Sequence, residues 1–149
     1  MVQGGGTRIQ LCGRFVVRLD GRRVEDALPG AKGQLLFAYL VLSRFRRIDR
    51  DELLIAVYGE EATPDHHPRL SVLLSKLRRV VGPELLAGRA AIELVLSADA
   101  FVDVEAALEG LHRAESHVAN GEWAEAWGPS GVAYHVASRP LLQVTTAPG

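Results

Sequence analysis

Between Ile9 and Leu96 the spacing of apolar residues changes from two to 3.6 and back to two, with glycine or proline near each change. A chain written this way has to make strands, then helices, then strands again. Ile9-Gln10-Leu11-Cys12 and Phe15 to Leu19 alternate, and Asp20-Gly21 leads into Arg22-Arg23-Val24. Asp-Gly between such runs predicts a two-residue hairpin turn, because both turn positions need positive φ. After Pro29-Gly30, the almost wholly apolar run Lys32 to Ser43 predicts a central buried helix. Asp49 to Glu52 has the form of a capping box, with Asp49 as N-cap, and opens a second helix to Tyr58 that Gly59 stops. Pro68, in a first turn, opens a third helix over Arg69 to Val81, closed by Gly82-Pro83. Leu85-Leu86-Ala87 and Ala91 to Leu96 then pair as a hairpin with a basic tip, Gly88-Arg89.

The third helix is the informative one. At 100° per residue, Leu70, Leu73, Leu74, Leu77, Val80 and Val81 fall within one arc, the core-facing stripe. The remaining arc carries Ser71, Val72, Ser75, Arg78 and Arg79, flanked by Arg69 and Lys76, with no acidic residue. A merely solvated face mixes charge signs. Cations, hydroxyls and one small apolar side chain suit a polyanion with an occasional methyl group. In the order sheet, three helices, hairpin, the pattern is an α+β winged helix-turn-helix, whose third helix enters a major groove while the wing touches the backbone beside it.

Charge separates the chain into two parts. Residues 1–97 hold 15 Lys and Arg against 11 Asp and Glu, and residues 98–149 hold 2 against 7, so a net charge of −1 hides +4 followed by −5. A basic front and an acidic back predict two lobes with different partners. In the back part Val104, Ala107, Leu108, Leu111 and Ala114 make a helical stripe, Asn120-Gly121 ends that helix, and Glu122 to Ala137 starts another that Gly128-Pro129 should kink or break. Trp123 and Trp127, at i and i+4, are expected to pack helices together. The opening glycines, Gly4 to Gly6, read as a loose tail, and the lone Cys12 as a small buried hydrophobe.

Five segments carry a resemblance: Leu11-Cys12-Gly13-Arg14-Phe15, Asp20-Gly21-Arg22, Leu28-Pro29-Gly30-Ala31-Lys32-Gly33, Arg50-Asp51-Glu52-Leu53 and Leu74-Ser75-Lys76-Leu77-Arg78-Arg79. In this order they resemble the OmpR/PhoB-like winged-helix domains, and more closely the DNA-binding domain of SARP-type bacterial transcriptional activators. Val102 to Leu108 and Ala114 to Trp127 resemble the opening of the bacterial transcriptional activation domain, a stack of TPR-like helix pairs that in the family is several pairs longer. The resemblance implies a winged-helix DNA-binding domain over residues 1–97 and a partial helical domain over 98–149. It implies a transcription regulator, an activator, that binds double-stranded DNA as tandem copies and recruits RNA polymerase; the opening Met1 to Gly6, which lacks a signal pattern, leads us to expect a cytoplasmic protein.

Catalytic and metal patterns are weak. His66-His67 are neighbours that point apart, with no third ligand near in sequence, and are expected to cap a loop or touch phosphate. No glycine-rich phosphate loop follows a strand, no nucleophile elbow is present, and Cys12 has no His or Asp beside it in sequence. No enzyme, cofactor or metal site is expected, and no apolar run approaches the length of a membrane helix. The residues expected on DNA are Arg69, Ser71, Val72, Ser75, Lys76, Arg78 and Arg79 of the third helix, Arg89 on the wing, Arg46 and Arg47 before the second helix, and Lys32 at the first. The rival is a protein-interaction module that docks partners through the winged helix and the helical pair, without DNA. Large apolar anchors on the third helix's outer arc would favour the rival; that arc lacks them.

Overall fold

The computed structural model describes residues 6–142, so Gly4 and Gly5 of the expected tail lie outside it. Strands β1 (Arg8–Gln10), β2 (Val16–Leu19) and β3 (Arg22–Arg23) form an antiparallel meander. The turn between β2 and β3 has positive φ at both Asp20 and Gly21, as the Asp-Gly pair predicted. Alternation sorts the faces: Ile9, Val17 and Leu19 are buried, while Arg8, Arg18 and Arg23 share the outer side.

Three helices follow: α1 (Gly30–Leu42), α2 (Arg50–Tyr58) and α3 (His66–Val81). Leu36, Phe37, Leu40 and Val41 have no exposed surface, which makes α1 the central helix, packed against α2 and α3. Two-residue strand β4 (Ile48–Asp49) precedes α2 and joins β5 (Leu86–Ala87) and β6 (Ala91–Leu94) in a second antiparallel sheet, ordered β4-β6-β5. The wing turn needs Gly88: φ is +96°, and a Cβ there would lie 1.9 Å from the Ala91 carbonyl oxygen. Helix α3 begins at His66, three residues before the expected Arg69. Its buried face is Leu70, Leu74, Leu77 and Val81, and Leu73 and Val80 are only partly covered.

After the wing the chain returns to the first sheet. Strand β7 (Phe101–Val102) pairs in parallel with β1, giving the order β3-β2-β1-β7, and runs directly into α4 (Asp103–Ala119). Asp103 is 3% exposed, and its two oxygens accept hydrogen bonds from the main-chain N–H groups of Leu11 and Cys12, both at 2.9 Å, and of Val104 at 2.8 Å. Arg44, just after α1, forks onto Glu105 at 2.6 and 2.8 Å. The acidic half is therefore fastened to the winged helix by a strand, a buried carboxylate and an ion pair.

Helix α5 (Trp123–Ala137) packs along α4. The expected break at Gly128-Pro129 does not occur. One hydrogen bond is lost at Pro129, but the helix is held by close packing there, since a Cβ on Gly110 would meet the Pro129 carbonyl at 2.6 Å. Gly110 and Ala114 of α4 and Ala126 of α5 are buried along the pair, with Val136 nearer its end, and the small side chains let the helices come so close that no indole fits between them. The expectation for the two tryptophans is overturned accordingly: Trp123 and Trp127 are 66% and 80% exposed. Leu108 and Leu111, expected in the helix-pairing stripe, are also about half exposed.

Asp103→Ala should lower stability by about 2–5 kcal/mol, because each buried N–H left without a partner costs about 1–3 kcal/mol. Leu74→Ala should cost about 2–5 kcal/mol through the cavity it leaves, and Leu73→Ala less, since Leu73 is partly exposed. Urea unfolding of the three variants checks both expectations.

Candidate nucleic-acid interface

The sequence makes α3 amphipathic, and the core fixes which way it turns. With Leu70, Leu74 and Leu77 held against α1 and α2, the exposed side presents Arg69, Ser71, Val72, Ser75, Lys76 and Arg79. Val72 is the one apolar member and is 54% exposed. No acidic side chain lies anywhere along α3.

Arg78 is not part of that outward arc. It is half-buried and turned to the wing, where its Nε donates to the Leu86 carbonyl at 3.1 Å and its Nη2 to the Gly88 carbonyl at 3.0 Å. Arg50 is the residue that sequence reasoning missed. From the first turn of α2 its Nη1 donates to the Arg89 carbonyl at 3.2 Å, and its Nη2 bonds the Ser71 hydroxyl. One guanidinium thus ties the start of α2, the outer face of α3 and the wing tip. Position 50 directly follows an N-cap, so its place in the sequence spoke for capping and for nothing further.

The remaining cations surround this face unequally. Arg89 is exposed on the wing tip beside the carbonyl that Arg50 holds. Arg47 is 79% exposed at its side chain, with its Nε 3.6 Å from Glu93 on the wing strand. Arg46 is paired: its Nη1 bonds Glu52 at 3.0 Å, and Tyr39 donates its hydroxyl to the same carboxylate. Lys32 is exposed at the first turn of α1, 5.0 Å above the Tyr58 ring, which in turn lies 4.6 Å from the His66 ring at the start of α3. Arg8, Arg14, Arg18, Arg22 and Arg23 belong to the first sheet and its turns, and of these Arg22 comes close to the end of α3, where it lines one hollow with Arg79.

Glu52 does only half of what a capping box asks. Its main-chain N–H bonds the Asp49 carboxylate at 2.9 Å, but its side chain is given to Arg46 and Tyr39 instead of reaching back to the N-cap. The Arg46 guanidinium first, and the Tyr39 hydroxyl second, hold its carboxyl down at about 2. Tyr39 is raised in return by the bond to Glu52 and by burial. His66 accepts the Thr63 N–H at Nδ1, 3.0 Å, and His67 lies 3.5 Å from Asp51, so the pair closes the loop before α3. Among the described residues, no three His, Cys, Asp or Glu side chains are grouped to hold a metal, and no helix is long and apolar enough to cross a membrane.

The arrangement is a winged helix followed by a helical hairpin, built as an α+β fold. A solved structure of EmbR from Mycobacterium tuberculosis, in complex with low affinity phosphopeptide, shares this fold with a TM-score of 0.73 over 91% of the chain. Identity between the two is 21%, and the chain corresponds to 37% of that EmbR chain. No family model matches the sequence, and no curated protein does.

Because Glu52 is held below its ordinary value of 4.5, it stabilises the fold fully above that pH, and the contribution is lost as pH falls toward about 2. Glu52→Gln should lower stability at neutral pH and flatten the acid limb over that window, as followed by thermal melts at stepped pH. Arg78→Ala should loosen the wing without unfolding α3, seen as faster amide exchange in β5 and β6 at unchanged helix content.

Proposed function

We propose that this chain is a sequence-specific DNA-binding regulator of transcription, with α3 as its recognition helix in the major groove. The observation that carries the reading is the acid-free outer face of α3, where exposed cations and hydroxyls surround a single methyl-bearing side chain and no large apolar anchor is present. Arg69, Lys76 and Arg79 neutralise phosphate or fork onto guanine edges, Ser71 and Ser75 bond phosphate or base, and Val72 meets a thymine methyl group. Arg89 and Arg47 contact the backbone from the wing side, with Arg46 and Lys32 at the rim. Arg78 and Arg50 set the wing against α3. The likeness in fold to EmbR supports this assignment, and so does the sequence resemblance to SARP-type activators.

The acidic helical pair is repelled by DNA and acts through protein. The resemblance makes its partners RNA polymerase and a second copy on tandem sites, and makes the regulator an activator with TPR-like helices. One observation favours a share for the protein-docking reading: Trp123, Trp127 and Tyr134 form an exposed aromatic stripe along α5, a surface type enriched at protein contacts.

Selection of random duplexes by the full chain, with sequencing of the retained pool, tests the reading. A defined motif should emerge, and the log of affinity for it should fall against log salt with a slope of about −3 to −5, at about 0.9 per phosphate neutralised. Arg69→Ala and Arg79→Ala should each cost about 1–3 kcal/mol with relaxed preference at one base pair if they touch a base, or a sequence-independent loss if they touch phosphate. An unenriched pool and a salt slope near zero would overturn the assignment.

A further inference from the structure

We propose that the cavity between the α4–α5 pair and the loop after β1 binds a small organic anion with an apolar body, of the chemical class of a medium-chain carboxylate. The cavity holds about 430 Å³, within the range of small-molecule sites, and is lined mainly by aliphatic side chains. Leu108 and Leu111 of α4, Val136 of α5 and Leu141 form its walls, and Cys12 lies at the first sheet's edge of it. Leu108, Leu111 and Leu141 are 53%, 46% and 57% exposed, so three leucines that helix pairing leaves uncovered meet around one hollow.

Arg139 supplies the charge. It is the one ionised residue among those lining the cavity, and its Nε is buried without a hydrogen-bond partner among the described residues. That donor has no accessible surface, so an anion in the hollow meets the guanidinium at its Nη atoms, which make no hydrogen bond among the described residues. The protein's own groups nearby do not serve. Both Asp103 oxygens are engaged by main-chain N–H groups, and burial, then Asp103, pushes the Cys12 thiol up, so it stays neutral. The site is also held in shape: the Gly13 N–H bonds the Pro140 carbonyl at 2.7 Å, and the Leu142 N–H bonds the Leu11 carbonyl at 2.6 Å. The stem of Arg139 lies against Gly13, where a Cβ would come within 3.0 Å of its Cδ. An apolar body in the hollow and a carboxylate at Arg139 satisfy both features together.

Decanoate titrated into the full chain without DNA, below its micelle concentration, tests the proposal by amide chemical shifts and calorimetry. Saturable binding of one equivalent is expected, with shifts centred on residues 11–14, 104–111 and 133–142. Arg139→Gln should weaken it at least tenfold and Arg139→Lys less. Decanol, with the same body and no charge, should bind at least tenfold more weakly than decanoate. Leu111→Trp, which fills the hollow from a half-exposed position, should abolish binding at an unchanged melting temperature. The proposal falls if no saturable shift appears, if decanol matches decanoate, or if either Arg139→Gln or Leu111→Trp binds normally. It falls equally if, without ligand, nuclear Overhauser contacts already join Leu111 to residues 143–149 or to a second copy. Because DNA is absent, these outcomes are separate from those that judge the DNA-binding reading.

Discussion

A buried carboxylate has to find hydrogen-bond donors, and Asp103 finds three of them in the main chain. Two come from Leu11 and Cys12, where β1 has ended and the chain would otherwise leave its N–H groups orphaned. The third, Val104, is in the first turn of α4. A single side chain thus completes the end of β1 and anchors the helical pair to it. Strand β7 and the Arg44–Glu105 fork act in the same direction, from either side of that point. The helical pair is consequently tied to the loop after β1 at two places, through Asp103 at the start of α4 and through Pro140 and Leu142 after α5.

Charge on the winged helix is divided between holding the structure and facing outward. Arg78, Arg50 and Arg46 spend donors on carbonyls, a hydroxyl and a carboxylate, whereas Arg69, Lys76, Arg79 and Arg89 are exposed. Position on the fold decides which is which, since Arg46 is paired although exposed. An Arg whose Cβ sits at the border of the apolar stripe can fold its stem over neighbouring backbone, and Arg78 does so, while residues at the centre of the outer arc find only solvent.

The fold was largely legible because its strongest determinants are periodic or local. The Asp20-Gly21 turn, the Asp49 cap, the glycine stops at Gly59 and Gly82 and the stripe on α3 each announce themselves within a few residues. What escaped is two residues long or far apart in sequence. Neither β4 nor β7 has room for a period, and the Asp103 bonds join positions more than ninety residues distant. The tryptophan pair misled for a different reason: i, i+4 spacing puts two rings on one face but does not say whether that face is inside. The answer lay in Gly110, Ala114 and Ala126, whose small side chains set a helix separation that excludes large rings. Likewise the basic excess of residues 1–97 was counted correctly, yet the count could not show that five arginines belong to the first sheet.

The Arg50 bridge bears on how any ligand of this face is met. Since Ser71 on α3 and the Arg89 carbonyl on the wing tip share one guanidinium, and Arg78 binds the wing's other carbonyls, helix and wing reach a partner already registered to each other. Conformational entropy that a looser wing would surrender on contact has been surrendered during folding. Competing partners would then be told apart by how long they stay rather than by how often they arrive.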